Sequence, residues 1–88
     1  MRDGWRYEIT PRAARDLERA DRVTRERIFE ALDRFIEDPT RFRQRKLAGR
    51  ADEWRLRVGD WRIRYKRDTA QRIVIVLRIL PRREAYRD

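Results

Sequence analysis

Residues 53–67, EWRLRVGDWRIRYKR, alternate apolar and basic side chains almost without a break. Trp54, Leu56 and Val58 share one parity, and Arg55 and Arg57 share the other. Beyond Gly59 and Asp60 the pattern resumes, with Trp61, Ile63 and Tyr65 against Arg62, Arg64 and Lys66. A period of two is the repeat of an extended strand, so the stretch predicts two amphipathic strands joined by a tight turn. One face of this hairpin is apolar and requires a covering layer. The other is nearly pure guanidinium and requires either counter-ions or a polyanion.

The remaining segments supply the covering layer. WRYEIT alternates Trp5, Tyr7 and Ile9 and reads as a first strand. Thr10 before Pro11 is a helix start, with the hydroxyl as N-cap and proline at the first helical position. In PRAARDLERA, Ala13, Ala14, Leu17 and Ala20 fall on one side. After a break near Asp21, Ile28, Phe29, Leu32, Phe35 and Ile36 continue at helical spacing until Pro39 stops the run. Residues 40–52 read as a loop with basic side chains at Arg41, Arg43, Arg45, Lys46 and Arg50, held to the core by Phe42 and Leu47. RDTAQR makes a second turn. IVIVLRIL follows as an inner strand, apolar on both faces except at Arg78, and Pro81 ends it. The expected fold is α+β and a single domain over 1–88. It comprises an N-terminal strand, a two-helix hairpin, then a three-stranded antiparallel meander with the helices on one sheet face.

Composition narrows the chemistry. The chain has no Cys, His, Ser or Asn. That removes disulfides, serine and cysteine nucleophiles, the imidazole base, and zinc sites that need sulfur or imidazole ligands. No cofactor and no metal is expected. No apolar run approaches a membrane span, and the N-terminus lacks a signal-peptide core, so a cytoplasmic protein is expected. Net charge is +9, unevenly spread. Residues 1–40 carry nine basic and ten acidic side chains, whereas residues 41–88 carry sixteen and six. Polyanions, RNA or DNA first, are the natural partners of such a second half.

If Trp54, Leu56, Ile63, Tyr65, Ile75, Leu77 and Ile79 face the helices, Arg55, Arg57, Arg62, Arg64 and Arg78 share the opposite face. Glu53, Asp60 and Glu84 are the acids near enough to pair with them, too few to neutralise the set. A solvated face with scattered ion pairs is the alternative.

The order of these elements, with KLAGRADEWRLRVGDWRIRY followed by IVLRILPRREAYRD, resembles the RelE/ParE superfamily of type II toxins, most closely its RelE branch of ribosome-dependent mRNA interferases. The likeness spans essentially the whole chain and rests on the ordered set of motifs. It implies a catalytic surface built from Arg62, a C-terminal arginine at Arg82 or Arg83, and Tyr86. Arg55 and Arg57 occupy the basic pair on the first hairpin strand. Arg64, Arg78, Arg45 and Lys46 join them as RNA and phosphate contacts. Arginine stands here where the family often has lysine, and Pro81 where it often has histidine or lysine. Both changes remove groups that exchange a proton.

Cleavage by the RNA 2′-hydroxyl needs that oxygen deprotonated, the phosphorane charge stabilised and the leaving oxygen protonated. Arginine supplies only the second. Proton transfer then falls to Tyr86, Tyr65, Lys46, Lys66 or a carboxylate. Arg62 is expected to hold phosphate without supporting the fold. The resemblance further implies an acidic, partly disordered antitoxin as partner, the ribosome and mRNA as target, and operator DNA only for the toxin–antitoxin complex. Two other functions share the sequence features: a ParE-type gyrase-inhibiting toxin and a non-catalytic nucleic-acid-binding module.

Overall fold

The computed structural model describes residues 4–49 and 52–85 of the chain. Strand β1 (Arg6–Ile9) runs into helix α1 (Pro11–Arg19) through Thr10. The Thr10 hydroxyl accepts from the Ala13 N–H at 3.2 Å, and Pro11 has no N–H to leave unsatisfied at the first helical position. Ala20 turns extended and Asp21 caps helix α2 (Arg22–Glu37), accepting the Thr24 N–H at 2.7 Å. Arg25 bridges the break, its Nη1 donating to the Ala20 carbonyl at 2.6 Å. The helical hairpin therefore starts and stops where the caps and Pro39 predict.

The sheet has five strands in the order β1-β5-β4-β3-β2. Strands β3 (Glu53–Val58), β4 (Trp61–Asp68) and β5 (Ile73–Pro81) form the expected antiparallel meander. Gly59, at φ +55°, supplies the left-handed residue of the hairpin turn between Val58 and Trp61. β1 pairs with β5 in parallel, and the helical hairpin carries the chain from β1 at one edge of the sheet toward β2 at the other.

The expected loop over 40–52 needs correction. It holds a 3-10 turn at Pro39–Arg41 and an edge strand, β2 (Gln44–Lys46), antiparallel to β3. Gln44 explains why so polar a segment pairs. Its Oε1 accepts from the Tyr65 hydroxyl at 2.6 Å and from Arg67 Nη2 at 2.7 Å, while its Nε2 donates to the Pro39 carbonyl at 3.1 Å. A side-chain network, rather than hydrophobic periodicity, fixes this strand.

A second correction concerns β5. Arg64 lies opposite Arg78, but Tyr65 lies opposite Val76, so Leu77 is an extra residue in the ladder. This bulge switches the parity of β5. Before it Val74 and Val76 face the core, and after it Ile79 does. Ile75, expected on the helix side, takes the other face. The core joins Ala13, Leu17, Ile28, Leu32 and Phe35 of the helices to Leu56, Ile63, Tyr65, Val74, Val76 and Ile79 of the sheet. Phe35 meets Tyr65 and Phe42 edge-on, at 5.3 and 5.9 Å between ring centres.

Pro81 closes the last strand, and a single helical turn, α3 (Arg82–Ala85), follows. Its first N–H donates to the Asp60 carbonyl at 2.8 Å, which seats it beside the hairpin turn. Among the described residues no helix is long and apolar enough to cross a membrane.

Candidate functional site

Strand register turns the basic parity into two transverse rows. Arg45 lies opposite Arg55, Arg55 opposite Arg64, and Arg64 opposite Arg78, four arginines across four adjacent strands. Neighbouring strands are about 4.8 Å apart, and like charges directly opposite are destabilising. The second row sets Arg57 opposite Arg62, and Arg62 opposite Leu80. Arg43 extends this row, its carbonyl accepting from the Arg57 N–H at 2.9 Å. The register sets the five arginines read from the sequence on one parity of the sheet, although the Arg78 guanidinium reaches back to helix α1.

The rows are treated differently at their two ends. Toward β5, carboxylates are built in. Both Glu53 oxygens accept from Arg64 Nη2 at 3.4 Å, with the two side chains only 13 % and 10 % exposed. Arg78 donates to Asp16 of α1 through Nε at 2.9 Å and Nη2 at 3.2 Å. Asp16 is itself buried and also accepts the Ile79 N–H at 2.9 Å. β1 pairs with β5 only as far as Val76, so Asp16 takes an N–H that a further strand residue would otherwise accept. Asp16 was not anticipated as a partner. Its spacing within α1 shows only that it neighbours the apolar stripe.

Toward β2, the face opens into a cleft of about 500 Å³ lined by Phe42, Arg43, Gln44, Arg45, Arg55, Arg57 and Arg62. Among the described residues, no carboxylate lines it. Arg62 forms its inner end and is the clearest departure from expectation. It is only 6 % exposed, and its Nη1 donates at 2.9 Å to both the Gly59 and the Trp61 carbonyls. The side chain thus buttresses the hairpin turn as well as lining the cleft. Its guanidinium is oriented before any ligand arrives, with one nitrogen of the fork committed to the turn.

Other expected residues separate. Lys46 lies opposite Trp54, on the parity of Gln44 rather than that of Arg45. Tyr65 is fully buried on the helix side, which removes it as a proton carrier for this face. Burial raises its phenol above the ordinary 10.0, against a lowering influence from the Arg67 guanidinium. Arg67 also stacks over Trp54 at 4.3 Å. Arg82 and Arg83 are exposed on α3 and are not among the cleft-lining residues. Tyr86 lies outside the described residues. Among those described, no cluster of three or more carboxylates offers a metal site.

Comparison with known proteins places this geometry. A family model described as the ParE toxin of the parDE type II toxin–antitoxin system matches residues 7–86. No curated protein matches the chain by sequence. Among solved structures, the archaeal RelE–RelB complex of Pyrococcus horikoshii OT3 is similar at 25% identity and a TM-score of 0.74. The match covers 91% of this chain and 97% of that one. The toxin–antitoxin complex RelBE2 of Mycobacterium tuberculosis is similar at 23% identity and a TM-score of 0.81, over 91% and 100%. The isolated E. coli RelE toxin aligns over 94% and 96%, at 18% identity and a TM-score of 0.69.

Proposed function

The chain belongs to the RelE/ParE superfamily of type II toxins, and we propose that it acts as an mRNA endoribonuclease on the translating ribosome, silenced by a cognate antitoxin. The observation that carries this reading is the cleft, in which Arg43, Arg45, Arg55, Arg57 and Arg62 converge. Each guanidinium is a permanent cation that donates and never accepts, which suits the oxygens of a phosphodiester. A cleft of about 500 Å³ falls in the size range of small-ligand sites and is open enough to admit a nucleotide of a longer strand.

In the reaction, the 2′-hydroxyl gives up its proton and its oxygen attacks the adjacent phosphorus. The bond from phosphorus to the 5′-oxygen breaks, and that oxygen takes a proton. A 2′,3′-cyclic phosphate and a 5′-hydroxyl result. Arg62 is suited to the phosphorane because its guanidinium is already fixed by the turn carbonyls, and preorganised donors need no reorientation as charge develops. Arg55 and Arg57 hold the flanking phosphates. Arg82 or Arg83 of α3 and Tyr86 are the further residues proposed for the set. Tyr86 is the proposed proton carrier, since arginine donates without exchanging its proton.

The antitoxin is proposed to be acidic and partly disordered, folding along the basic surface. RelE partners RelB in the P. horikoshii complex. Co-expression from the native operon should yield the two proteins together, and recovery of only free, harmless toxin would count against the assignment.

The family model that matches is that of ParE, which favours gyrase inhibition as the second reading. Primer extension on a translated message separates the two. Codon-phased cuts support the nuclease, whereas intact message with gyrase-linked DNA breaks supports the ParE type. Tyr86→Phe refines the result. A proton-carrying phenol predicts lost cleavage with RNA affinity retained, while a merely stacking ring predicts loss only in Tyr86→Ala.

A further inference from the structure

The turn of the central hairpin is used from two sides. Its three consecutive carbonyls, at Gly59, Asp60 and Trp61, all accept hydrogen bonds. Gly59 and Trp61 share Nη1 of Arg62, each at 2.9 Å, and Asp60 takes the first N–H of α3, from Arg82, at 2.8 Å. Arg62 lines the cleft, whereas Arg82 opens the helical turn that carries both C-terminal arginines. Strand register explains how the two meet. Trp61 lies opposite Pro81, and the ladder continues one step further, to Asp60 and Arg82. Bonded and non-bonded pairs alternate along an antiparallel ladder, which leaves Pro81 at a position where its missing N–H breaks no bond to β4. β1 pairs with β5 only as far as Val76, so that N–H is not needed on the other side either. The far end of α3 is held by Ala85, only 6 % exposed.

We propose that the turn over Gly59, Asp60 and Trp61 is a joint that positions α3 for RNA cleavage, holding its arginines at one fixed offset from Arg62. This rests on the reading of the chain as a nuclease. Arg82 and Arg83 are exposed and stand outside the cleft lining, so their approach to a bound phosphate depends on where α3 starts. A misplacement of about 1 Å can cost on the order of 10²-fold in rate. A helix of four residues does not hold such a position by itself, because short helices are marginal in water. Its anchor is the Asp60 carbonyl, and the turn orients that carbonyl. Arg62 steadies the same turn from the cleft side, since one guanidinium nitrogen spans the carbonyls on either side of Asp60. Gly59 permits the arrangement with its φ of +55°, which a side chain would strain. The Asp60 carbonyl is a positioning group here: it touches no substrate and acts through α3.

The test compares two substitutions of one residue in translation reactions with purified ribosomes. Arg82→Ala removes the side chain and keeps the N–H, whereas Arg82→Pro removes both. Proline suits the first position of a helix, so the two variants differ chiefly in the bond to Asp60. The maximal rate of message cleavage should be about tenfold lower in Arg82→Pro than in Arg82→Ala, on the scale of one hydrogen bond. The half-saturating toxin concentration should be the same in both. Equal maximal rates would overturn the proposal. Proton–nitrogen correlation spectra give a second reading that needs no activity and reports the folded state alone. In Arg62→Ala the turn loses its donor on the cleft side, and the Arg82 amide proton should move upfield as its hydrogen bond weakens. The Ile79 amide, held by Asp16 on the preceding strand, should keep its position. An unmoved Arg82 resonance would overturn the joint, as would equal movement at both amides, which would mean that the whole strand had shifted. A wild-type protein that leaves translated message intact would defeat the nuclease reading itself and, with it, this role for the turn, whatever the spectra show.

Discussion

The two ends of the arginine face have the same sequence pattern and opposite fates. At the β5 end, Arg64 and Arg78 are partnered by Glu53 and Asp16 and serve the fold. At the β2 end, Arg43, Arg45, Arg55 and Arg57 border an open cleft with no carboxylate among its described lining residues. Arg62 stands between the two, bonded to the hairpin turn and lining the cleft at once. Charge in a strand pattern therefore identifies a face, while availability is decided by what the covering helices and the strand ends bring to it.

That contrast can be broken most forcefully at Asp16. Asp16→Ala strips the counter-ion from Arg78 and the acceptor from the Ile79 N–H together. Loss of one partner of a buried pair costs about 3–5 kcal/mol, which should appear as a large drop in the urea midpoint. Asp16→Asn, whose amide oxygen still accepts the Ile79 N–H, should recover part of it. Arg45→Ala at the open end should stay within about 0.5 kcal/mol, as surface substitutions usually do.

Arg62→Ala should affect both properties. Message cleavage should fall on the order of 10²–10³-fold, the usual loss for one preorganised donor. Stability should also fall, by about 1–2 kcal/mol, because two turn carbonyls lose their donor. An unchanged melting temperature would show that the turn does not depend on this side chain.

A smaller effect tests the opposite face. The Tyr65 hydroxyl helps hold β2 through Gln44, and burial keeps its phenol protonated above the ordinary 10.0. The fold binds that proton more tightly than the unfolded chain does. Its contribution is therefore complete below pH 10.0 and is lost as pH rises through the folded value. Tyr65→Phe should cost about 1 kcal/mol at neutral pH and flatten this alkaline limb in denaturant titrations.

Much of this molecule was legible in its residues because the signals were local. Thr10, Asp21 and Pro39 punctuate the helical hairpin through their own caps and stops. The alternation around Gly59 fixes the hairpin and the arginine face in one step. What escaped was non-local. β2 depends on Gln44 meeting Tyr65 and Arg67, which lie 21 and 23 residues away. The parity of β5 depends on a one-residue bulge at Leu77, and an unbroken apolar run such as IVIVLRIL cannot announce one. The Asp16–Arg78 pair joins residues 62 positions apart. Arg62 looked exposed because parity alone says nothing of a turn folding its carbonyls toward the guanidinium.

The central claim is that the open end of the face is the working end. Photocrosslinking locates it most directly. A single-stranded RNA carrying 4-thiouridine is bound to the protein at low salt and irradiated, and the crosslinked peptides are identified by mass spectrometry after digestion. Crosslinks confined to residues 42–45 and 55–62 are the predicted result. Crosslinks concentrated on β5 around Arg78, or on the helical hairpin, would contradict it.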